Sequence, residues 1–563
     1  MESAADRYIR FNKVKEKASV WRSKLASVYK FVFPYKNFFN KRIPDSSEVY
    51  DMTAVVAAQD FANNFQTIML PPYRRWANLT NGAMLTEELE ARGLDETEVK
   101  KKFQEITETV FRCIHSSNFD LAIHEAILDF CVGTGVILIN ETNDSSIIDV
   151  HSVPVNEVYF EEGKFDNLEN FWREQKLTSK QILRNWPSAS ITEQMSQNNK
   201  DKEFELIEGV IYYPEREGYA QGRQEGREEQ ERQEKHAGKE PNAYYYYIQD
   251  KESQKEIFSE WKDYCPFIGF RYSRSSGDLV GHGLAEFALS FIKVINEIAK
   301  LDLQALQFKT QPAYLYNPKK FQINPNTFSL EPGSFFPVDL DGGMPVAPFP
   351  LPNESRFSRL SIAELQKTIK DIFLSSWLDN SLRTPNMTAT EIAIRQQEFI
   401  RRIGGAIGRF AHEFIKPFLT ACLKILRRKG KLPYLSIIGQ EIGLKIDDQF
   451  INIEYDSPLI TLQNQQDVDS VLSFIATNVQ LFQGNAMLAL NMPEIPTWLA
   501  NKKGVDLKLV NKPEEIAKLF RDMRTQLEQQ AHPPEPQAPP LGQYTAQLAA
   551  QSIQRPMPAI DVG

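Results

Sequence analysis

Apolar positions between Thr388 and Gly430 recur every three or four residues, which is the spacing of one buried helix face. Thr388 and Glu391 form a capping box at its start, and Gly430 is a favourable stop at its end. At about 1.5 Å per residue, a helix of this length spans roughly 60 Å, about twice the width of a small domain. The pattern therefore predicts one very long helix that crosses a large particle.

Three glycines and one proline interrupt this predicted helix, at Gly404, Gly405, Gly408 and Pro417. Each glycine weakens a helix, and the proline removes one hydrogen bond, so a bend is expected. Two interpretations of the glycines are compatible: close packing against a neighbouring helix, which we favour, and a moving hinge.

The first 280 residues contain both helical and alternating patterns of apolar residues. Helices are predicted over 6–33, 50–76 and 95–116, and a fourth ends where Gly133 and Gly135 interrupt it. Mostly antiparallel strands are predicted at VILI (136–139), IIDVHSVP, NEVYF, FELIEGVIYY, AYYYYIQD and KEIFSEW. Pro71 halts the second helix, and Trp76 soon after it is expected to be exposed. The sum is an α+β fold that is mainly helical.

Two further helices are predicted over 281–307 and 355–378, separated by a proline-rich segment of strands and turns. The first is apolar on two sides, so it needs packing partners on both. A strand follows at 450–459, and helices return over 465–530. The charged segment 215–241 is predicted to be a solvated loop or a short exposed helix.

Composition and net charge argue against several classes of function. The 563 residues have a formal net charge of -9, which argues against a protein that grips DNA through a broad basic face. The four cysteines contain no CxxC pair and the N-terminus has no signal peptide, so an intracellular, soluble protein is expected. No phosphate-binding loop, HExxH or calcium-loop pattern occurs, which predicts a protein without catalysis, metal or cofactor.

Four segments, in this order, resemble the portal protein, or head-to-tail connector, of short-tailed, podovirus-like bacteriophages. They are YDMTAVVAAQDFANNFQTIMLPPYRRW, PFIGFRYSRSSGDLVGHGLAEFALSFIKVIN, NMTATEIAIRQQEFIRRIGGAIGRFAHEFIKPFLTACLKILRRKGKLP and INIEYDSPL. The resemblance implies a ring of usually twelve subunits at one capsid vertex, with double-stranded DNA passing through the central channel.

The resemblance also implies a division of the chain into the parts of a portal subunit. These are a wing (1–280, with the charged insertion 215–241), stem helix 1 (281–307), a clip (308–354), stem helix 2 (355–378), a tunnel loop (379–388), the rest of the wing (389–461), a crown (462–530) and a flexible tail (531–563). The long bent helix corresponds to the spine of the wing.

Candidate residues follow from that division. In the tunnel loop, Arg383, Asn380 and Asn386 are expected to face DNA, although Arg383 fits an ordinary solvated arginine about as well. On stem helix 1, Phe291, Ile295 and Ile298 are expected at the interface between subunits. The implied partners are the terminase packaging motor, tail adaptors, and the major capsid and scaffolding proteins, without a membrane, in a virion assembled in the host cytoplasm.

Two other functions remain open from the sequence. Another ring or adaptor protein of the phage neck or tail is the nearer alternative, and the order of helices and strands disfavours it. A DNA-processing enzyme, such as a packaging motor or a nuclease, is the more distant one, because the chain lacks a phosphate-binding loop.

Overall fold

The structure, a computed structural model, divides the chain into two compact units, residues 1–460 and 461–563. It describes residues 2–36, 49–82, 85, 96–142, 146–164, 167–190, 202–213, 243–317, 335–337, 346–348, 356–375, 398–432, 451–455, 458–482, 491–503, 505 and 509–531. The predicted tunnel loop, the charged segment 215–241 and the tail from residue 532 lie outside these residues.

Four helices open the first unit, as predicted: α1 (Ala4–Val32), α2 (Thr53–Met69), α3 (Glu96–His115) and α4 (Phe119–Val132). Ser3 and Asp6 form the capping box that begins α1. The expectation that Trp76 is exposed is wrong. Its ring is buried because it packs edge-on against Phe111, with 4.9 Å between ring centroids, and stacks on Phe119.

Two antiparallel sheets follow. The smaller has the order β3 (Ile148–Ser152), β2 (Thr134–Glu141), β9 (Phe267–Arg271). The larger has the order β4 (Val158–Glu162), β5 (Leu168–Thr178), β6 (Glu203–Tyr212), β7 (Tyr244–Asp250), β8 (Glu256–Lys262). A short helix, α5 (Ser179–Asn185), follows β5. The antiparallel prediction is confirmed, but two strands of these sheets were not predicted: β5, whose charged positions mask its alternation, and β9.

Helix α1 covers one face of the larger sheet through cations as well as apolar side chains. The Arg7 guanidinium lies 4.7 Å from the centre of the Tyr247 ring and pairs with Glu256. Further along, the Lys15 ammonium pairs with Glu174 at 2.6 Å. The helix is therefore fixed to the sheet over more than two turns.

The middle of the chain forms two helices and a small sheet. Helices α6 (Leu284–Thr310) and α7 (Arg356–Ile372) correspond to those predicted over 281–307 and 355–378. Between them, β10 (Tyr314–Tyr316) runs parallel to β11 (Phe335–Pro337) and antiparallel to β12 (Val346–Pro348).

The long helix is described from residue 398, so its predicted capping box at Thr388 lies outside the described residues. It runs as α8 (Gly404–Phe410), a π-helical segment (Ala411–Ile415) and α9 (Lys416–Arg428). The irregularity that the glycines and the proline predict thus takes the form of a π segment just before Pro417.

Strand β13 (Ile451–Tyr455) pairs antiparallel with β1 (Ala77–Asn81), with Leu79 opposite Ile453. The strand predicted over 450–459 therefore ends earlier, because Pro458 already begins a helix. In the second unit, that helix, α10 (Pro458–Phe482), is followed by α11 (Ile495–Lys503) and α12 (Pro513–Ala531). Lys502 donates a hydrogen bond to Asp467 at 2.9 Å within this unit.

Candidate assembly interface

Helix α6 has one face that packs inside its own chain. That face contacts α1, α2, α4 and α7. Its buried residues are Leu284, Ala285, Ala288, Ile292, Ile295 and Asn296. Asn296 also accepts a hydrogen bond from the main-chain N–H of Tyr50, with 2.7 Å between the nitrogen and Oδ1. This face fixes the direction of the helix.

A second face of α6 is apolar and open. Phe287, Phe291, Val294 and Leu301 follow one another at helical spacing, and their exposed fractions are 53%, 39%, 50% and 54%. We call these four side chains the apolar ridge. Large apolar side chains in a continuous row are uncommon on the surface of a monomer and mark a site of protein interaction.

The structure separates the three stem residues that the sequence grouped together. Phe291 lies on the apolar ridge, and Ile298 is half-buried beside it. Ile295 is only 1% exposed, so it belongs to the core of its own subunit and cannot be reached by another. The two-sided pattern of the sequence did not show which side the chain itself covers.

Glycines hold the start of α6 against the rest of the first unit. A Cβ added to Gly133 would lie 2.1 Å from the carbonyl oxygen of Gly281, and one added to Gly283 would lie 2.2 Å from that of Cys131. The end of α4 and the beginning of α6 therefore meet backbone to backbone. The sequence shows these glycines, but nothing in it pairs the two segments.

His282 adds an electrostatic link at the same point. Its Nε2 lies 2.9 Å from Asp278 Oδ2, and its Nδ1 lies 2.8 Å from Glu286 Oε2. The hydrogen bond to Asp278, followed by that to Glu286, raises the pKa of His282. The charged imidazole thus ties the preceding turn to the first turn of α6.

The long helix is anchored by a buried ion pair in its π segment. The carboxylate of Glu413 accepts hydrogen bonds from the main-chain N–H of Arg271, at 2.8 Å, and from its guanidinium, at 2.7 Å. Arg409 adds a second guanidinium, 3.2 Å from Oε1 of Glu413. The rings of Phe410 and Phe414 stack beside this pair, with 4.8 Å between their centroids.

The glycines before this anchor face open space. Apart from the local helix itself, no atom of the described chain lies within 4 Å of a Cβ added to Gly404, Gly405 or Gly408, and all three residues are exposed. We call them the glycine face. The favoured expectation, close packing against a neighbouring helix, is therefore wrong within the described part of the subunit. Each glycine nonetheless costs a helix about 1 kcal/mol relative to alanine.

The DNA-facing candidates Arg383, Asn380 and Asn386 lie outside the described residues. The chain reaches them after α7, where Leu374 has a left-handed backbone (φ 58°) and the described segment ends at Ser375. An open cavity of about 400 Å³ lies at this end of α7, lined in part by Asp371, Leu284 and Arg402.

Within the described residues, no group of three or more histidine, cysteine, aspartate and glutamate side chains is placed to hold a metal ion. Nor does any helix in those residues combine the length and the apolar character that a membrane span requires. The most distinctive features of the described surface are therefore the apolar ridge and the glycine face.

Comparison with known proteins decides the family. A family model described as "Bacteriophage head to tail connecting protein" matches residues 6–510. The chain belongs to this family. The "Probable portal protein" of Bordetella phage BPP-1 is 21% identical to it over 547 residues, which cover 93% of this chain and 91% of that relative.

The resemblance found in the sequence is thereby confirmed, since the matched region contains all four of its segments. Both α6 and the long helix lie inside it. As a connector of head and tail, the protein is a virion component with partners in the capsid and the tail.

Proposed function

We propose that this connector is the portal of its phage, a ring of copies, usually twelve in the family that it resembles, at one capsid vertex. Double-stranded DNA is packaged and later ejected through the central channel. The single observation that carries the proposal is the apolar ridge on α6, which the subunit leaves open although another face of the same helix is packed. In a ring, a neighbouring subunit covers the apolar ridge of every copy.

The division of the chain follows the same proposal. Residues 1–280 and 389–461 form the wing, 281–307 and 355–378 the stem helices, 308–354 the clip, 379–388 the tunnel loop, and 462–530 the crown, with a tail over 531–563. Phe291 and Ile298 contribute to the interface between stems, whereas Ile295 supports the subunit behind it.

Partners are proposed on the same basis. The clip docks first the terminase packaging motor and later the tail adaptors, and the wing contacts the major capsid and scaffolding proteins. Assembly takes place in the host cytoplasm. The protein itself carries out no catalysis, since the motor supplies the work of packaging.

Averaged electron micrographs and a mass measurement of the purified protein test the ring. Closed rings of one defined mass are expected, and stable folded monomers under all conditions would overturn the proposal. A ring that binds tail proteins but never the motor would support the alternative hypothesis, that the protein is another ring or adaptor protein of the phage neck or tail.

Arg383→Ala tests the channel. One positive side chain per subunit forms a belt of weak, salt-screened contacts that restrains DNA without trapping it. The variant is expected to assemble normally and to give capsids that package less DNA or lose it, whereas Arg383→Lys, which keeps the charge, is the matched control. DNA length and retention equal to wild type in Arg383→Ala particles would make Arg383 an ordinary surface arginine.

A further inference from the structure

Two surfaces of the first unit are complementary in shape. The apolar ridge presents four large side chains in a row on α6. The glycine face presents three helical positions without side chains, where nothing in the described chain outside the local helix comes within 4 Å of an added Cβ. Helices pack by seating the ridge of one in the groove of another, and a surface of glycines is the deepest groove that a helix can offer.

The charges beside the two surfaces are also complementary. Glu297, which lies 4.0 Å from Lys300 of its own helix, and Asp302 are exposed and flank the apolar ridge on its two sides. Arg401 is exposed and lies on the same side of the long helix as Gly405 and Gly408. Acidic side chains therefore border the ridge, and a basic side chain borders the glycine face.

Every subunit carries both the apolar ridge and the glycine face. We propose that the apolar ridge of one subunit packs on the glycine face of the next subunit in the ring. The inference rests on the proposed portal function and names the surface that receives α6. The two surfaces differ, so the contact is head-to-tail, and repetition of such a contact gives a closed ring when the rotation from one subunit to the next divides a full turn. The three exposed glycines of the long helix then allow α6 of a second subunit to approach it closely.

Disulfide cross-linking tests the pairing directly. Phe291→Cys and Gly408→Cys proteins are mixed, assembled and oxidised, and a covalent dimer is expected in the mixture but in neither protein alone. The chain with both substitutions is expected to give a ladder of multimers. Ser19→Cys, at an exposed position of α1, replaces Gly408→Cys in the control mixture. Cross-linking of the test pair no higher than this control would overturn the proposal.

A steric test separates this contact from the ring itself. Gly408→Leu adds a side chain where the described part of the subunit leaves free space, so the subunit is expected to keep or raise its melting temperature while its ring fraction falls by about tenfold or more. Ser19→Leu, the matched control, keeps the wild-type ring fraction. Wild-type protein that forms no rings would overturn both proposals, whereas Gly408→Leu that forms normal rings would overturn only the seating contact.

Charge reversal gives a third measurement on the same rings. Arg401→Glu and Glu297→Arg are each expected to lower the ring fraction, and the double variant is expected to recover most of it, because it restores an opposite pair across the contact. A double variant that is as defective as the sum of the single variants would contradict the pairing of these two sides.

Discussion

Arg271 and Glu413 are 142 positions apart, yet Arg271 gives Glu413 both its main-chain N–H and its guanidinium. Arg271 is the last residue of β9, and Glu413 is the middle residue of the π segment. Both side chains are almost fully buried, with exposed fractions of 1% and 9%. This pair fixes the long helix to the smaller sheet at the point where the helix changes its winding.

Glu413→Gln is expected to destabilise the subunit strongly, because it leaves the buried guanidinium of Arg271 without its counter-charge. Removal of one member of a buried pair costs about 3–5 kcal/mol. Urea unfolding of the purified subunit measures the change. Lys176→Met, which removes an exposed pair with Glu205, is the control and should cost no more than about 1 kcal/mol. Equal effects of the two variants would contradict the anchoring role of Glu413.

Neighbouring positions on α6 should separate folding from assembly. Ile295→Ala removes buried side-chain volume and is expected to cost the subunit about 2–5 kcal/mol of unfolding free energy. Phe291→Glu changes an exposed residue, so it should leave that free energy within about 0.5 kcal/mol while it prevents rings from forming. Thermal unfolding and sedimentation of the two variants measure both quantities. Rings formed by Phe291→Glu at the wild-type level would remove the apolar ridge from the interface.

His282 should make the start of α6 sensitive to pH. Its pKa is raised in the folded protein, so its contribution to stability is fully present below about pH 6.5, the value for an unfolded histidine, and is lost as the pH rises through the raised folded value. The stability difference between wild type and His282→Asn is therefore expected to shrink as the pH increases from about 6 to about 9. A difference that stays constant over this range would show that the two carboxylates do not hold a charged imidazole.

Gly133→Ala is expected to destabilise the packing of the end of α4 against the start of α6. Its Cβ would lie 2.1 Å from the Gly281 carbonyl oxygen, and a backbone group cannot turn aside as a flexible side chain does. The melting temperature of the isolated subunit should fall by several degrees, since about 1 kcal/mol corresponds to a few degrees in a large domain. Gly404→Ala, in open space, should instead keep or raise it. A melting temperature for Gly133→Ala as high as that of Gly404→Ala would contradict the close approach.

Periodic segments were the part of the fold that the sequence predicted well. The predicted ranges of α1 and α6 agree with the structure to within three residues, because apolar spacing is a local signal. Strand β5 was missed for the opposite reason, since its charged side chains are paired across the sheet with partners far along the chain. Glu174, for example, lies 3.2 Å from the Lys251 ammonium, 77 positions further along the chain.

The candidate interface was predictable only as a helix that is apolar on two sides. Phe291 and Ile295 look alike in sequence, and only tertiary packing decides that one is exposed and the other buried. In the same way, Gly404 and Gly133 are both interruptions of helical patterns. One faces open space and the other touches a backbone 148 positions away, which no local pattern can distinguish.

The pairing of β1 with β13 dictates an order of events during synthesis. Residues 77–81 emerge from the ribosome early, but their partner strand at 451–455 is translated some 370 residues later. Closing so long a loop costs conformational entropy before any contact between the two strands compensates for it. Each nascent chain must therefore wait, with this strand unpaired, until most of its length has been made. A chain cut short before residue 451 lacks the partner strand of β1, so this sheet can form only when synthesis is nearly finished.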